Sequence, residues 1–496
     1  MRRFLEPVCI FLFAAMSARS QDQTTVRINE IQTANAFTLE DENGDTPDWI
    51  ELGSVSAEPV PLAGCGLSDD PDVPFRWTFP DVRINPNSYL VVFASGKDRR
   101  DPSSALHANF EIDSDGEILQ LTAPDGRVLD SVSVGPVPLD ASYGRPEDGA
   151  GGWAYFDAPS PGRGNGPGFA AIAGPVRLSP GAGFYQAGVS VSVSGPAGST
   201  VRYTLDGSEP DRHAPAASGP VRIRNTAVLR TRAFDPAALP GPVSTATFFI
   251  DEPSDLPVLS ISTDPDYLFD PDIGIYVIGN GTAMGGYPDA PVGPPANYWE
   301  DWVRPAQVEW FEQGGGRGFG IGAGIKMHGK TTRNLPQKSF TVLLRGKYGA
   351  KTLEYPFFPG LPVSRFRSFL VRNAGSDNTA NRGGVQFRDG LAARLVRNLD
   401  LEVQAYRPCV LFLNGVYWGV YELRENQNAD YLASHHGADP EAVDILDDYH
   451  RLYPLAVQGS TGQYDALIDF LQDHALSDPD AVEPVNRRID VDNYLT

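Results

Sequence analysis

The sequence predicts a multidomain chain in which two all-β modules precede an α+β domain. Three observations carry this prediction. At 496 residues the chain exceeds what one hydrophobic core supports, so roughly two to four domains are expected. Its 51 glycines and 43 prolines favour short strands joined by tight turns over long helices. Helical periodicity first appears late, where Phe387, Leu391, Leu395 and Leu399 recur at i, i+4 over 385–400.

Residues 24–165 read as the first β module. The runs Val26–Ile31, Asp48–Leu52, Tyr89–Ala94, Ile118–Ala123 and Val128–Val134 are broken by Asn43-Gly44, Asp115-Gly116 and the hairpin signal Pro124-Asp125-Gly126. A Gly/Pro-rich linker, 166–174, leads to a second β module over 175–251. There the string Tyr203-Thr204-Leu205-Asp206-Gly207-Ser208-Glu209-Pro210 reads as a strand feeding a tight turn. From Leu256 strand signals continue at Val258–Ser262, Gly274–Ile278, Val308–Phe311, Ile321–Met327 and Ser339–Leu344. Helices are expected at 385–400, at 428–436 before Gly437, and at 463–475 with the stripe Leu467, Ile468, Leu471.

Composition and charge narrow the function classes. The 41% hydrophobic and 10% aromatic content is ample for burial. A net charge of -23 argues against sequence-independent nucleic-acid binding and against adhesion to anionic membranes. The N-terminus reads as a signal peptide over 1–20, with Arg2 and Arg3, the apolar run Val8–Met16 and the small-x-small site Ala18-Arg19-Ser20. No later stretch approaches the ~20 apolar residues of a membrane span. A secreted or cell-surface, extracytoplasmic location is therefore expected. Cys9 would leave with the signal. Cys65 and Cys409 fall in different modules, so neither a disulfide nor a cysteine metal site is expected.

The chemistry-bearing segment is marked by lysine. Five of the six lysines, Lys326, Lys330, Lys338, Lys347 and Lys351, fall within 26 residues, and compact ammonium groups suit an anionic ligand. Downstream lies the aromatic string Asn414-Gly-Val-Tyr-Trp-Gly-Val-Tyr-Glu-Leu-Arg-Glu425. Structural readings stand beside the functional ones. Lys338 can be a strand-edge lysine, Asp377 a turn cap, and Tyr417, Trp418 and Tyr421 hairpin core around an Asn-Gly turn. Glu422 and Glu425 can be surface charges. The pair His435-His436 is not expected to bind metal, because adjacent helical positions point apart. No Gly-x-Ser-x-Gly elbow is present.

Three segments resemble known families. Ile28-Asn29-Glu30-Ile31, Asp48-Trp49-Ile50-Glu51-Leu52, Trp77-Thr78-Phe79-Pro80 and Ser160-Pro161-Gly162-Arg163-Gly164-Asn165 resemble the lamin tail domain, an immunoglobulin-like sandwich common in secreted bacterial proteins. The resemblance offers no catalytic residues; Asp48 and Glu51 are read as strand-end surface charges rather than calcium ligands. Ser179-Pro180, Gly183-Phe184-Tyr185, the 203–210 string and Leu229-Arg230-Thr231-Arg232-Ala233 resemble the immunoglobulin-like module that ends chitobiases and β-hexosaminidases.

From 256 to 496 the chain resembles the spore-coat-H (CotH) kinases, which have an atypical protein-kinase-like fold. The carrying residues are Leu256-Pro257-Val258, Gly274–Val277, Gly324–Arg333, Gln337-Lys338-Ser339-Phe340, Arg372–Asp377, Phe387-Arg388-Asp389 and the Asn414–Glu425 string.

The CotH resemblance implies a kinase that moves the γ-phosphate of ATP, with Mg2+ or Mn2+, to serine or threonine of extracellular or surface proteins. It implies that Lys338 holds phosphates, that Lys330, Thr331, Thr332 and Arg333 close over the nucleotide, and that Asp377 and Glu425 are possible catalytic positions. Lys326 and Thr332 stand where the family commonly has arginine and serine. The metal-binding and catalytic aspartates are expected beyond Thr496, since Asp490 and Asp492 read as a helix entry; this stretch alone is then an inactive fragment or a dead remnant. The competing expectation is a non-enzymatic surface or matrix protein whose β modules bind carbohydrate or protein. A sugar-processing enzyme lacks an identifiable carboxylate pair.

Overall fold

The computed structural model describes residues 25–146, 152–287, 290–378, 383–399, 401–447, 455–474, 477 and 479–495. The signal-peptide reading over 1–20 lies outside them, as does residue 475 at the end of the third expected helix. No helix among the described residues is long and apolar enough to cross a membrane.

The first module is a sandwich of two sheets. Strands Ala154–Phe156, Ser142–Gly144, Val26–Gln32, Asp48–Ser54, Tyr89–Ala94 and Leu106–Ala108 form one sheet in that order. Val128–Val134, Glu117–Thr122, Gly66–Ser68 and Trp77–Thr78 form the other. The hairpin expected at Pro124-Asp125-Gly126 joins two of these strands, with Gly126 at φ 87, where glycine has no Cβ to clash. The second module has two smaller sheets, one of them ordered Gly183–Tyr185, Ser244–Ile250, Ala227–Phe234, Thr200–Thr204. Both are the immunoglobulin-like sandwiches expected.

The lamin-tail-like strings converge to close the first sandwich. Buried Glu30 accepts from the Ser160 amide and hydroxyl, each at 3.1 Å, and from the Ser142 hydroxyl. Buried Glu51 accepts from the Gly162 amide at 2.5 Å and the Asn29 side chain at 3.0 Å. Asn165 donates back to Asn29 O and Arg145 O. Glu51 is thus a buried, fully engaged anchor and not a surface charge. Asp48 is half-buried, and burial pushes its carboxyl up to about 7 against the opposing field of Lys347.

The third region is built on a closed barrel of seven strands. Its order is Val258–Ser262, Arg304–Phe311, Arg317–His328, Ser339–Leu343, Ser368–Arg372, Val416–Glu425 and Tyr406–Leu413, which pairs in parallel with the first. Closure leaves no unpaired edge. Alternate residues such as Ile261, Val308, Trp310, Ile325, Phe340, Phe369 and Leu423 fill one core. The remaining positions face outward, and this alternation decides where charges can collect.

Helices follow the barrel: α1 Pro265–Phe269 within the first crossover, then α2 Arg388–Val396, α3 Ala429–His436, α4 Gly462–Asp473, α5 Pro479–Asn486 and α6 Val491–Leu495. Asn428 caps α3 by accepting from the Tyr431 amide, and Gly437 ends it at φ 68, as its position suggested. The α2 stripe is real but Phe387, Leu391, Leu395 and Leu399 are exposed. Gly274–Ile278 is not a strand. It wraps the end of α1, with Ile275 and Tyr276 amides donating to Tyr267 O and Leu268 O, and Asn297 donating to Pro271 O and Gly274 O. Those local bonds satisfy the backbone that a strand would otherwise pair.

The second module and the barrel share a core. Phe184 stacks on Phe249, and Phe311 and Phe412 meet this pair edge-to-face, with Phe249 and Phe412 ring centroids 4.9 Å apart. Beneath them the buried Glu309 carboxylate accepts from the Thr247 amide at 2.8 Å and hydroxyl at 2.7 Å. The Asn414-Gly415 turn docks on this same module. A Cβ on Gly207 would lie 2.4 Å from Asn414, and one on Gly415 would lie 3.0 Å from Ala227.

Candidate functional site

The five clustered lysines do not converge. Lys347 Nζ reaches into the first module and donates to Asn35 O at 2.9 Å and Thr46 O at 3.1 Å. Lys351 pairs with Asp113 and Asp115 of the same module. Lys326 pairs with Asp301, and Lys330 with Asp447 in the hairpin after α3. Two therefore fasten the barrel to the first sandwich, and two bind surface carboxylates.

Lys338 is the buried one. Its Nζ donates to Arg333 O at 2.5 Å and Leu335 O at 2.9 Å, and lies 4.2 Å from the centre of the Tyr298 ring. Burial pulls the ammonium down to about 8. The Gly329–Asn334 segment folds onto it as a 3-10 turn over Thr331–Asn334, with Arg333 donating to Gly329 O and Tyr298 O. Thr331 is exposed and Thr332 half-buried. The expected cofactor-binding residues are thus neighbours. Lys338 and Arg333, however, direct these bonds to backbone carbonyls, those of the loop and of Tyr298.

The aromatic hairpin supports this loop as core. Tyr276 Oη accepts from Trp418 Nε1 and the Lys338 amide, each at 2.9 Å, and donates to Pro336 O at 2.8 Å. Tyr421 Oη donates to Lys338 O. Tyr417 alone of the three aromatics is exposed.

Asp377 and Glu425 are also structural holds. Asp377 accepts from the amides of Val385, Phe387 and Arg388 at 2.9–3.0 Å and pairs with the Arg388 guanidinium, fixing the start of α2. These bonds hold its carboxyl below the usual range, the Arg388 amide first among them. Glu425 accepts from the Ala405 amide at 3.0 Å and pairs with His435 Nε2 at 2.7 Å, so its partner is a histidine rather than a lysine. His436 pairs with a different carboxylate, Glu402. The two histidines bind separate acids, in line with their adjacent placement.

A second group was missed by the lysine reading. On the outward face of the barrel, register places Lys326 beside Thr341, Thr341 beside Leu370, Arg372 beside Glu422, and Leu370 beside Arg424. His328, Thr341, Arg372, Glu422 and Arg424 therefore share one face. Arg372 and Arg424 both donate to Asp389 Oδ2 of α2, at 2.5 and 3.0 Å. Glu422 is 2% exposed and lies 3.5 Å from Arg424. Among the described residues, neither Glu422 carboxylate oxygen has a hydrogen-bond partner, and neither does Arg424 Nε.

The electrostatics of this row are unusual. Burial drives Glu422 up to about 7, with Arg424 and Arg372 pulling the other way. Burial, aided by Arg372, Arg333 and Lys326, drives His328 down to about 4. Perturbed and unsatisfied buried groups cluster at functional sites, and this row combines both features. The row can hold an oxyanion on two guanidiniums and can exchange a proton near pH 7. Three of the strings singled out in the sequence meet here: Arg372–Asp377, Phe387–Asp389 and the end of Asn414–Glu425. The usable signal was the outward alternation of Arg372, Glu422 and Arg424 along paired strands.

A polar cleft of about 260 Å³ of open space borders the far end of the same strands, between Ser368, Asn426 and Asn428 and the side of α3. Elsewhere, Asp41, Glu42 and His107 of the first module are close enough to share a cation. The Lys97 ammonium already binds Asp41 there, with Asp45 at 2.6 Å.

Comparison with known families places these regions. Residues 325–496 match the family described as CotH kinase protein, residues 180–245 the chitobiase/β-hexosaminidase C-terminal domain, and residues 19–136 the lamin tail domain. The CotH match begins inside the third barrel strand, so the physical unit starts some way upstream of it. No curated protein matches the chain.

Proposed function

We propose that the barrel region is the nucleotide-handling part of a CotH-type atypical kinase. In this reading it moves the γ-phosphate of ATP to serine or threonine hydroxyls of proteins outside the cytoplasm. The observation that carries the reading is the row of Arg372, Glu422, Arg424 and Asp389, which lies wholly within the segment matching that family. Phosphoryl transfer asks a protein mainly to position the reactants and neutralise phosphate charge. Arg372 and Arg424 supply that charge in a setting that excludes much of the water, where it counts for more.

Family chemistry also uses a divalent metal. The carboxylates of the row do not make a site for one. Asp377 is spent on backbone amides, Asp389 on two guanidiniums, and Glu422 sits among cations. The extracytoplasmic location rests on the signal-like start at Arg2 to Ser20 and on the secreted company kept by the first module.

A purely adhesive reading of the β modules draws less support. The Asp206–Pro210 turn of the second module is spent on structure. Asp206 accepts from the Ser208 amide, Arg230 donates to Gly207 O, and the Glu209 amide donates to Asp264 beside α1.

The test is transfer of radiolabelled phosphate from ATP, with Mg2+ or Mn2+, by the purified full chain, to itself or to a generic protein acceptor. Arg372→Gln and Lys338→Ala serve as comparisons. Incorporation that Arg372→Gln abolishes supports the reading. Absence of incorporation together with no thermal stabilisation by ATP overturns it.

A further inference from the structure

We propose that Arg372 and Arg424 form a binding site for a phosphate-type oxyanion which Asp389 closes in the free protein, the ligand displacing the Asp389 carboxylate. This deepens the kinase reading and rests on it for the identity of the natural ligand. The geometry is that of an anion site occupied by a stand-in. Two guanidiniums from adjacent barrel strands converge on one oxygen, Asp389 Oδ2. A single carboxylate oxygen uses a small part of the donors those two groups present. Arg424 is nearly fully buried, and its Nε finds no acceptor among the described residues. A phosphate group, with several strong acceptor oxygens and up to two negative charges, matches that surplus better than a carboxylate does.

Glu422 is the independent observation. It is a buried carboxylate with no hydrogen bond to either oxygen among the described residues, set 3.5 Å from Arg424 and cross-strand from Arg372. A buried charged group without a hydrogen bond is costly and is ordinarily retained where something is bound or a proton is moved. Burial holds it about half protonated at pH 7 against the pull of Arg424 and Arg372, so the cluster carries surplus positive charge once Asp389 swings away. Asp389 is free to do so. It lies in the first turn of α2, its side chain is 45% exposed, and α2 is held at its start by Asp377 instead.

The groups facing Glu422 are Arg424 on its own strand, Arg372 on one neighbouring strand, Tyr406 on the other, and Asp389 and Asp377 from the α2 side, with the Cys409 thiol behind it in the barrel core. Deprotonation of Glu422 places a second negative charge beside the incoming anion. Binding is therefore expected to weaken as pH rises through 7, and Glu422→Gln to remove that weakening.

The experiment is titration of the full chain with inorganic pyrophosphate by calorimetry, without divalent cation, on the wild type and on D389N, R372Q and E422Q. D389N is expected to bind about tenfold tighter, the equivalent of roughly 1.4 kcal/mol, because the competing carboxylate is gone. R372Q is expected to bind at least about tenfold more weakly. Far-UV circular dichroism checks that each variant is folded, and R372K, which keeps charge but loses the fork, should fall between. Equal affinity of wild type, D389N and R372Q overturns the site, as does no binding by either wild type or D389N. Pyrophosphate binding with this pattern but no ATP turnover leaves the site standing and removes the kinase reading. Turnover of ATP by a protein whose pyrophosphate affinity ignores both substitutions does the reverse.

Discussion

Two kinds of buried glutamate separate the first sandwich from the barrel. Glu30 and Glu51 are buried with their oxygens filled by Ser160 and Gly162 of the returning 160–165 segment and by Ser142 and Asn29. Glu422 is equally buried and unfilled. The same side chain at the same depth is a structural clasp in one place and a poised acid in the other. What differs is the supply of donors. The first sandwich brings a loop with free amides to its carboxylates, whereas the groups nearest Glu422 are two guanidiniums that direct their hydrogen bonds to Asp389 Oδ2 instead.

The sharpest way to break this contrast is Glu51→Ala. It leaves the buried Asn29 side chain without its acceptor and frees the Gly162 amide, and should destabilise the first module by up to about 3 kcal/mol in denaturant unfolding of the full chain. An unchanged midpoint would mean the clasp is decorative. Glu309→Ala, which strips the Thr247 amide and hydroxyl of their acceptor and leaves Arg317 unpaired, should cost about 2 kcal/mol and merge less cleanly into one transition.

Glu422→Gln probes the other side, and its sign is opposite. A carboxyl whose folded pKa is raised from 4.5 to about 7 stabilises fully below 4.5 and loses that contribution as pH climbs through 7. His328, pulled down to about 4, does the reverse between 4 and 6.5, so the two oppose one another in the wild type. Removing Glu422 should therefore steepen the rise of stability from pH 5 to 6.5 by up to about 1.4 kcal/mol per pH unit. Parallel wild-type and variant profiles would show that Glu422 does not titrate there. The smallest expected effect is Lys338→Met. It frees the Arg333 and Leu335 carbonyls but removes a buried ammonium, for a net change within about 1 kcal/mol. It should leave pyrophosphate affinity within about threefold of wild type. A larger loss would return Lys338 to the phosphate site.

Much of the architecture was legible in the sequence. Strand runs such as Tyr89–Ala94 and Val128–Val134 coincide with observed strands, because alternation and turn glycines are local properties. Barrel closure was not legible, since it depends on the parallel pairing of Val258–Ser262 with Tyr406–Leu413 across about 150 residues of chain. The site was half legible. The strings that meet there were recognised, but clustering of lysine along the chain drew attention to charges that fold toward different partners. Lys347 and Lys330 are 17 positions apart, yet one enters the first sandwich and the other reaches the strand Ile445–Asp447. Linear charge density says nothing about which face of a strand each residue takes. The alternation of Arg372, Glu422 and Arg424 did say so, once the strands were paired.

The shared phenylalanine cluster has a practical corollary for anyone isolating the enzyme-like half. A clone starting near Leu256 would bare Phe311, Phe412 and Val258 to water and leave Glu309 facing solvent without Thr247. Such a truncation should precipitate or dimerise through that oily face. A soluble expression unit accordingly has to include at least the second immunoglobulin-like module.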